Sequence, residues 1–455
     1  MKFWKSITIT ALALLFIIGS QADARKLPVG AYIKSAKIEI LSGDLERYQN
    51  AIILLDSLFL NYGPHAEGIF WMGQIEVDYI DRAPSPAEKK PHVERFQLFT
   101  DSLHFCCDKE NKDVKKKYKK DCDEFIEKSD SIAVKYWREF YNSAVEQMKT
   151  ITSLNEDISN EVDTAIIERF KNDIQLNVDS AATNFELCLI LDSAKEETYA
   201  GLGLLFEKAG DYEKAIEWRD KGLPYTSDKA TALIQIAYSY INMGDYKSPI
   251  PYMKEYIDLR PEDTLTMSNL VICYNNNQMY DSAYAINQRI LTVAPDNFDA
   301  LKSLGLYFGQ ISRDANDSAA FYAENPTEKE IWSELKNQGI DSAITYFEKA
   351  LESNPDDAMV NELFGTYTYI KGDFEKSSRA FKKLAELKPS VPDFWTSLGD
   401  CYIQLKNFED ATSAYEKTVE LTPDNKAVWE QLVDLYSELG RTADKAAAEK
   451  KVKSL

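Results

Sequence analysis

The sequence predicts an all-α fold, a solenoid of helix-turn-helix hairpins, on three observations. A phrase recurs: "GDYEKAIEW" from Gly210, "GDFEKSSRAF" from Gly372 and "KNFEDATSAY" from Lys406. Prolines close successive stretches in phase, since Pro261 to Pro295, Pro355 to Pro389 and Pro389 to Pro423 are equal steps along the chain. Within a stretch the apolar residues fall at helical spacing. Units of this length that cannot bury an apolar face alone must stack on their neighbours.

The proline register sets the units at 196–229, 230–263, 264–297, 298–357, 358–391 and 392–425, with a truncated seventh at 426–455. The unit 298–357 exceeds the period by a 26-residue insertion, at about 313–338, whose second half reads as a helix around Ile331 and Leu335. In 392–425, Trp395, Leu398, Gly399 and Tyr402 lie on one face of a first helix, and Ala411, Tyr415 and Thr418 on one face of a second. Small residues at the Gly399 and Ala411 positions let the two helices approach, and the aromatics fill the space between them. Gly203, Ala237, Gly305 and Gly365 repeat the first small position, and Ala215, Ala283 and Ala343 the second.

Glycine at Gly210, Gly244, Gly372 and Gly440 supplies the positive φ that commonly ends a helix. Pro249 stands where alanine is expected, with Pro251 just behind. This predicts that the second helix of that unit starts late, since proline is accepted in a first turn.

The pattern aromatic, Leu-Gly, aromatic, then Ala-x3-aromatic, then Pro resembles the tetratricopeptide repeat, whose period of about 34 residues it shares. The resemblance covers 196–455 clearly. It implies a right-handed superhelix whose first helices line a concave groove, and no enzymatic activity. Repeat positions 2, 5, 9, 12 and 13 face that groove in the family. Carried over, they give Tyr238, Ile241 and Asn242, then Leu265, Ile272, Asn275 and Asn276 with Asn269 beside them, then Lys302, Leu306 and Gln310, and finally Tyr369 and Ile370. This mixture of amide, aromatic and aliphatic groups suits an extended peptide or a helix. The basic clamp for C-terminal carboxylates found in some relatives is not expected, because Lys302 is the one basic residue that stands out among these positions. An RNA-binding helical repeat one residue longer is the near neighbour, and both the period and the acidic charge argue against it.

Residues 25–80 and 130–195 read as degenerate versions of the same language. Residues 31–63 form an initial unit through Tyr48, Ala51, Leu55 and Leu58. "AEGIFWMGQIEVDY" from Ala66 reads as the first helix, and "DSIAVKYWREFYNSA" from Asp130 as the second helix, of one hairpin. Ala181, Phe185 and Cys188 belong to another unit before Glu196. Residues 81–129 then interrupt a hairpin as an insertion with Pro84, Pro86, Pro91, His92, His104, three of the six cysteines and the lysine cluster "KDVKKKYKKD" from Lys112. The total is about ten hairpins.

Residues 1–24 read as a secretory signal peptide: Lys2 and Lys5, an apolar run from Ile7 to Ile18, and Ala22-Asp23-Ala24 before a cleavage point. The apolar run is shorter than the roughly 20 residues a spanning helix needs. A periplasmic or secreted bacterial protein is expected, with no integral membrane segment after cleavage. The formal charge of −21 disfavours nucleic acid and anionic membranes as partners.

In an exported chain cysteines invite a disulfide. Cys188, Cys273 and Cys401 occupy packed repeat positions and read as small core residues. Cys122 is expected to pair with Cys106 or Cys107, closing a loop of about 15 residues and leaving one thiol over. Zinc on His104 with these cysteines is disfavoured, because adjacent cysteines are poorly spaced for one tetrahedron and no C-x2-C pair occurs. No phosphate-cradling glycine loop, H-E-x-x-H, G-x-S-x-G or calcium loop appears, so no catalytic residue, metal or cofactor is expected. The expected function is a non-enzymatic scaffold or adaptor whose groove holds a protein or peptide segment, with an envelope complex as its expected setting. A self-associating structural component and a glycan-binding surface protein are the alternatives.

Overall fold

The computed structural model describes residues 27–455 except 113, 115, 117, 118 and 120. The expected signal peptide therefore lies outside the described residues, as do several lysines of the 112–120 cluster. Among the described residues there are twenty α-helices and no strand, and no helix is long and apolar enough to cross a membrane. The chain forms two compact units that meet in sequence at Ser227 and Asp228, a boundary that falls between repeats.

The first unit contains α1 (Val29–Leu41), α2 (Leu45–Tyr62), α3 (Ala66–Arg82), α4 (Pro86–Cys107), α5 (Cys122–Asn160), α6 (Thr164–Leu191), α7 (Glu196–Lys208) and α8 (Tyr212–Gly222). They pack as consecutive hairpins, α1 with α2 through to α7 with α8. The expected insertion at 81–129 is corrected here. Most of it is α4, which packs along α3 and buries Val93 and Phe96 against Ile80, Tyr136 and Phe140. Helix α3 thus pairs with α4 rather than with the helix containing Asp130, which is α5 and pairs with α6. The prolines mislead because a helix accepts proline at its start, and α4 also tolerates Pro91 in its interior, six residues in. Pro86 is the first residue of α4, where its missing N–H costs nothing. Ser85 caps that helix: its Oγ accepts from the Glu88 amide at 3.3 Å and donates to Oε1 of Glu88 at 2.9 Å.

The second unit contains α9 (Lys229–Asn242), α10 (Pro249–Leu259), α11 (Thr264–Asn276), α12 (Tyr280–Val293), α13 (Phe298–Phe321), α14 (Pro326–Ser353), α15 (Ala358–Lys371), α16 (Phe374–Leu387), α17 (Pro392–Gln404), α18 (Phe408–Leu421), α19 (Lys426–Glu438) and α20 (Thr442–Ser454). Each successive pair is one repeat, stacked on the next. Just after most closing prolines an Asp or Asn caps the following first helix. Asp263, Asn297, Asp357 and Asn425 each accept from a backbone N–H in the first turn. Part of the acidic surplus is therefore local chain punctuation.

Helix α10 starts late, at Pro249, after Asp245 accepts from the amides of Lys247 and Ser248. The insertion at about 313–338 continues both helices of its repeat: α13 has 24 residues and α14 has 28, joined by a short turn. Small residues at Ser312, Ala315 and Ala319 keep the extended α13 close to its partner.

The packing logic is clearest where an aromatic on the second helix lies over a glycine on the first. A methyl group added at Gly399 would lie 2.5 Å from Cε1 of Tyr415, and one added at Gly365 would lie 3.1 Å from Cε2 of Phe381. Phe347 lies over Gly305 in the same way and is completely buried. Each such ring contributes roughly 1.5–3 kcal/mol of burial.

Candidate binding groove

The groove residues expected from the repeat positions do not converge on one point. Tyr238 and Asn269 meet across two repeats, the Asn269 Nδ2 donating to the Tyr238 hydroxyl at 3.3 Å. Asn276 spends its amide on its own helix, donating to the Ile272 carbonyl at 2.9 Å. Asn242 is the last residue of α9 and is exposed. Tyr369 is half-buried, edge-on to Phe374 at 5.2 Å. Lys302 is tied down: its ammonium lies 3.3 Å from Oδ2 of Asp357 and 5.4 Å from the Phe298 ring centre. The lysine that stands out in the sequence is therefore neutralised within the unit.

Asn275 and Gln310 do come together. With Leu306 they line a cavity of about 620 Å³ between α11, α12 and α13. Its other walls include residues that the repeat positions did not single out. Tyr284 and Tyr307 stand with ring centres 4.8 Å apart, and Tyr280 is half exposed beside them. The Tyr307 hydroxyl donates to Oδ1 of Asp281 at 2.8 Å, and burial together with this carboxylate raises the phenol's pKa. Gln310 donates to Asp314 at 2.6 Å and accepts from Arg313, whose other Nη reaches the Tyr367 hydroxyl at 3.1 Å.

At the bottom lies Asn287, 4% exposed. It occupies position 24 of its repeat, where Phe347, Phe381 and Tyr415 stand in three others. The glycine position facing it is Val271, which is buried, and the cavity lies on the α13 side of Asn287, against Leu306, Tyr307 and Gln310.

Exposed apolar side chains also recur on the first helices, with Leu265 and Ile272 on α11 and Met359 and Ile370 on α15 all about half exposed or more. These are positions 2, 9, 2 and 13 of their repeats.

In the first unit Cys107 and Cys122 are disulfide-bonded, with Cα atoms 5.6 Å apart. The bond joins the end of α4 to the start of α5 and closes the 108–121 loop, from which Val114 is buried against Cys106 and Cys122. Cys106 is the thiol left over. It is buried, and burial pushes its pKa up to about 11, which makes it a poor nucleophile. His104 turns away to Asp130 at 2.8 Å. Cys188, Cys273 and Cys401 are buried thiols. Among the described residues no three His, Cys, Asp or Glu side chains gather as a metal site.

A tetratricopeptide-repeat family model matches residues 363–426, and a second matches 230–263 and 336–357. A search of curated proteins returns no match. Among solved structures, a tetratricopeptide repeat protein from Parabacteroides merdae is 16% identical, with a TM-score of 0.33, over 57% of this chain and 92% of that one. A fragment of MamA from Desulfovibrio magneticus is 18% identical, with a TM-score of 0.31, over 44% of this chain and 97% of that one. At these scores the assignment rests on the repeats themselves. The proline register, the small-residue and aromatic positions and the matched family models agree that the second unit carries tetratricopeptide repeats, a module whose general role is protein–protein interaction.

Proposed function

We propose that the chain is an exported, non-enzymatic scaffold that holds a segment of another protein along the first helices of the second unit. The observation that carries this reading is the recurrence of exposed apolar side chains on first helices: Leu265, Ile272, Met359 and Ile370. Isolated exposed apolar residues are ordinary on any surface, whereas recurrence at groove positions of separate repeats is what an extended partner would use. The exported location is supported by the Lys2, Lys5, Ile7–Ile18 and Ala22-Asp23-Ala24 order and by the Cys107–Cys122 disulfide.

Two measurements test it. N-terminal sequencing of the protein purified from its own cells should begin at Arg25, and a chain starting at Met1 would refute export. Cross-linking in the native envelope should then yield a reproducible foreign protein. Capture should fall when Leu265, Ile272, Met359 and Ile370 are changed together to Ser, with helical content unchanged. Undiminished capture would move the interface elsewhere.

Self-association is the second reading, favoured by a row of partly exposed aliphatics at position 30, namely Leu259, Val293, Leu387 and Leu421 at the ends of second helices. Light scattering decides against it if the mature chain is monomeric at micromolar concentration.

A further inference from the structure

We propose that the cavity between α12 and α13 is a receptor for a cationic side chain, an arginine or lysine of the segment held in the groove. The partner half of this statement rests on the groove reading above; the cavity's own chemistry does not.

Three features point to a cation. The first is the cavity itself, about 620 Å³, with Asn287 in its wall. Asn287 is more than nine-tenths buried, and its amide makes no hydrogen bond among the described residues. That amide is left to meet a polar ligand atom entering the cavity.

The second is charge. Asp281 and Asp314 both line the cavity, and neither forms an ion pair among the described residues. Asp281 accepts from Tyr307 and Asp314 from Gln310, both neutral donors that leave the carboxylate charge uncompensated. The one cation among the described wall residues, Arg313, has its two Nη atoms directed to Tyr367 and Gln310. The lining thus keeps a net negative charge.

The third is the tyrosine faces. Tyr284 and Tyr307, with Tyr280 half exposed beside them, offer π surface to an ammonium or guanidinium, an attraction that adds to the carboxylates. A guanidinium, with five N–H groups in one plane, can stack on a ring while donating to a carboxylate at its edge.

The test needs no knowledge of the natural partner. The Nα-acetyl forms of L-arginine amide, L-lysine amide and L-glutamine amide, with N-acetylglutamate, are titrated into the isolated mature chain, with binding read by ligand-observed NMR. The two cationic probes should bind and the neutral and anionic ones should not. Asn287→Phe puts a bulky ring in the cavity wall and should weaken the cationic probes at least about tenfold; its thermal midpoint should fall, because the ring meets Val271 where other repeats have glycine. Asp281→Asn and Asp314→Asn should each weaken them roughly fivefold, as expected for a lost charge near a protein surface. Equal binding of arginine amide and glutamine amide, or unchanged binding in Asn287→Phe, would overturn the proposal. If Asn287→Phe does not fold, the two Asp variants decide alone, and unchanged binding in both overturns it. Failure here leaves envelope capture through the apolar positions standing. Conversely, an intact cation site with no capture would show that the groove reading failed.

Discussion

Repeats 264–297 and 392–425 share a period, a turn and a pair of helices of nearly equal length, and differ at two facing positions. In 392–425 the second helix supplies Tyr415 and the first supplies Gly399, so the ring lies against the glycine backbone and its hydroxyl reaches Asp400. In 264–297 the equivalent residues are Asn287 and Val271. The bulk has moved to the first helix, and the second helix keeps only a short amide. Val271 occupies the space beside the second helix that a glycine elsewhere leaves to a ring, and the cavity lies on the other flank of α12, toward α13. Exchanging bulk between facing positions changes which side chains a repeat turns toward its neighbour, with no change to the backbone design.

The largest expected effect separates the two repeats directly. Tyr415→Ala should cost about 3–5 kcal/mol, because it deletes a buried ring from a site the glycine cannot refill. Asn287→Ala should cost no more than about 0.5 kcal/mol, since the amide already faces open space. Chemical denaturation of the second unit's helical signal measures both. Comparable losses would mean that Asn287 is a packed core residue and that the cavity is filled in solution.

A smaller effect tests whether the two positions act as a pair. Gly399→Val should cost about 1–3 kcal/mol, because the added carbons press on the Tyr415 ring. Transplanting the whole 264–297 pair, Gly399→Val with Tyr415→Asn, should cost less than the two changes summed, by at least about 0.5 kcal/mol. Strict additivity in that double-mutant cycle would show that bulk on the first helix does not compensate for its loss on the second.

Much of this contrast was legible from sequence, and the illegible part has physical causes. The register of the second unit followed from prolines and small residues, because each of them meets a backbone requirement that recurs once per repeat. The pairing of α3 with α4 did not, since proline is a breaker in mid-helix and an acceptable first residue, and the letters Pro84, Ser85, Pro86 permit either reading. Of the cysteines, spacing allowed Cys122 to join Cys106 or Cys107, and only the direction each side chain takes from α4 selects Cys107. The groove positions fall on first helices as the repeat pattern requires, but their partners lie far away in sequence. Lys302 meets Asp357, the residue that caps the next repeat's first helix, and no periodicity within one repeat contains that contact. The cavity was illegible for the opposite reason. Asn287 breaks the pattern, and a broken position in a degenerate repeat reads as noise until the neighbouring walls are known.

The smallest effect concerns what the two repeats have in common. Both lack the turn glycine found at Gly210, Gly244, Gly372 and Gly440, and both place another residue there with a φ of 58°, Gln278 in one and Lys406 in the other. A left-handed conformation costs an L-residue about 1–2 kcal/mol, partly offset by the greater freedom glycine has in the unfolded chain. Gln278→Gly and Lys406→Gly should therefore each stabilise the second unit by about 0.5–1 kcal/mol. The two gains should be equal, because the turn precedes the second helix and does not depend on whether position 24 carries a ring or an amide. A gain at Lys406 without one at Gln278 would show that the cavity loosens the turn beside it. The vacancy would then be a property of the whole hairpin and not of two facing side chains.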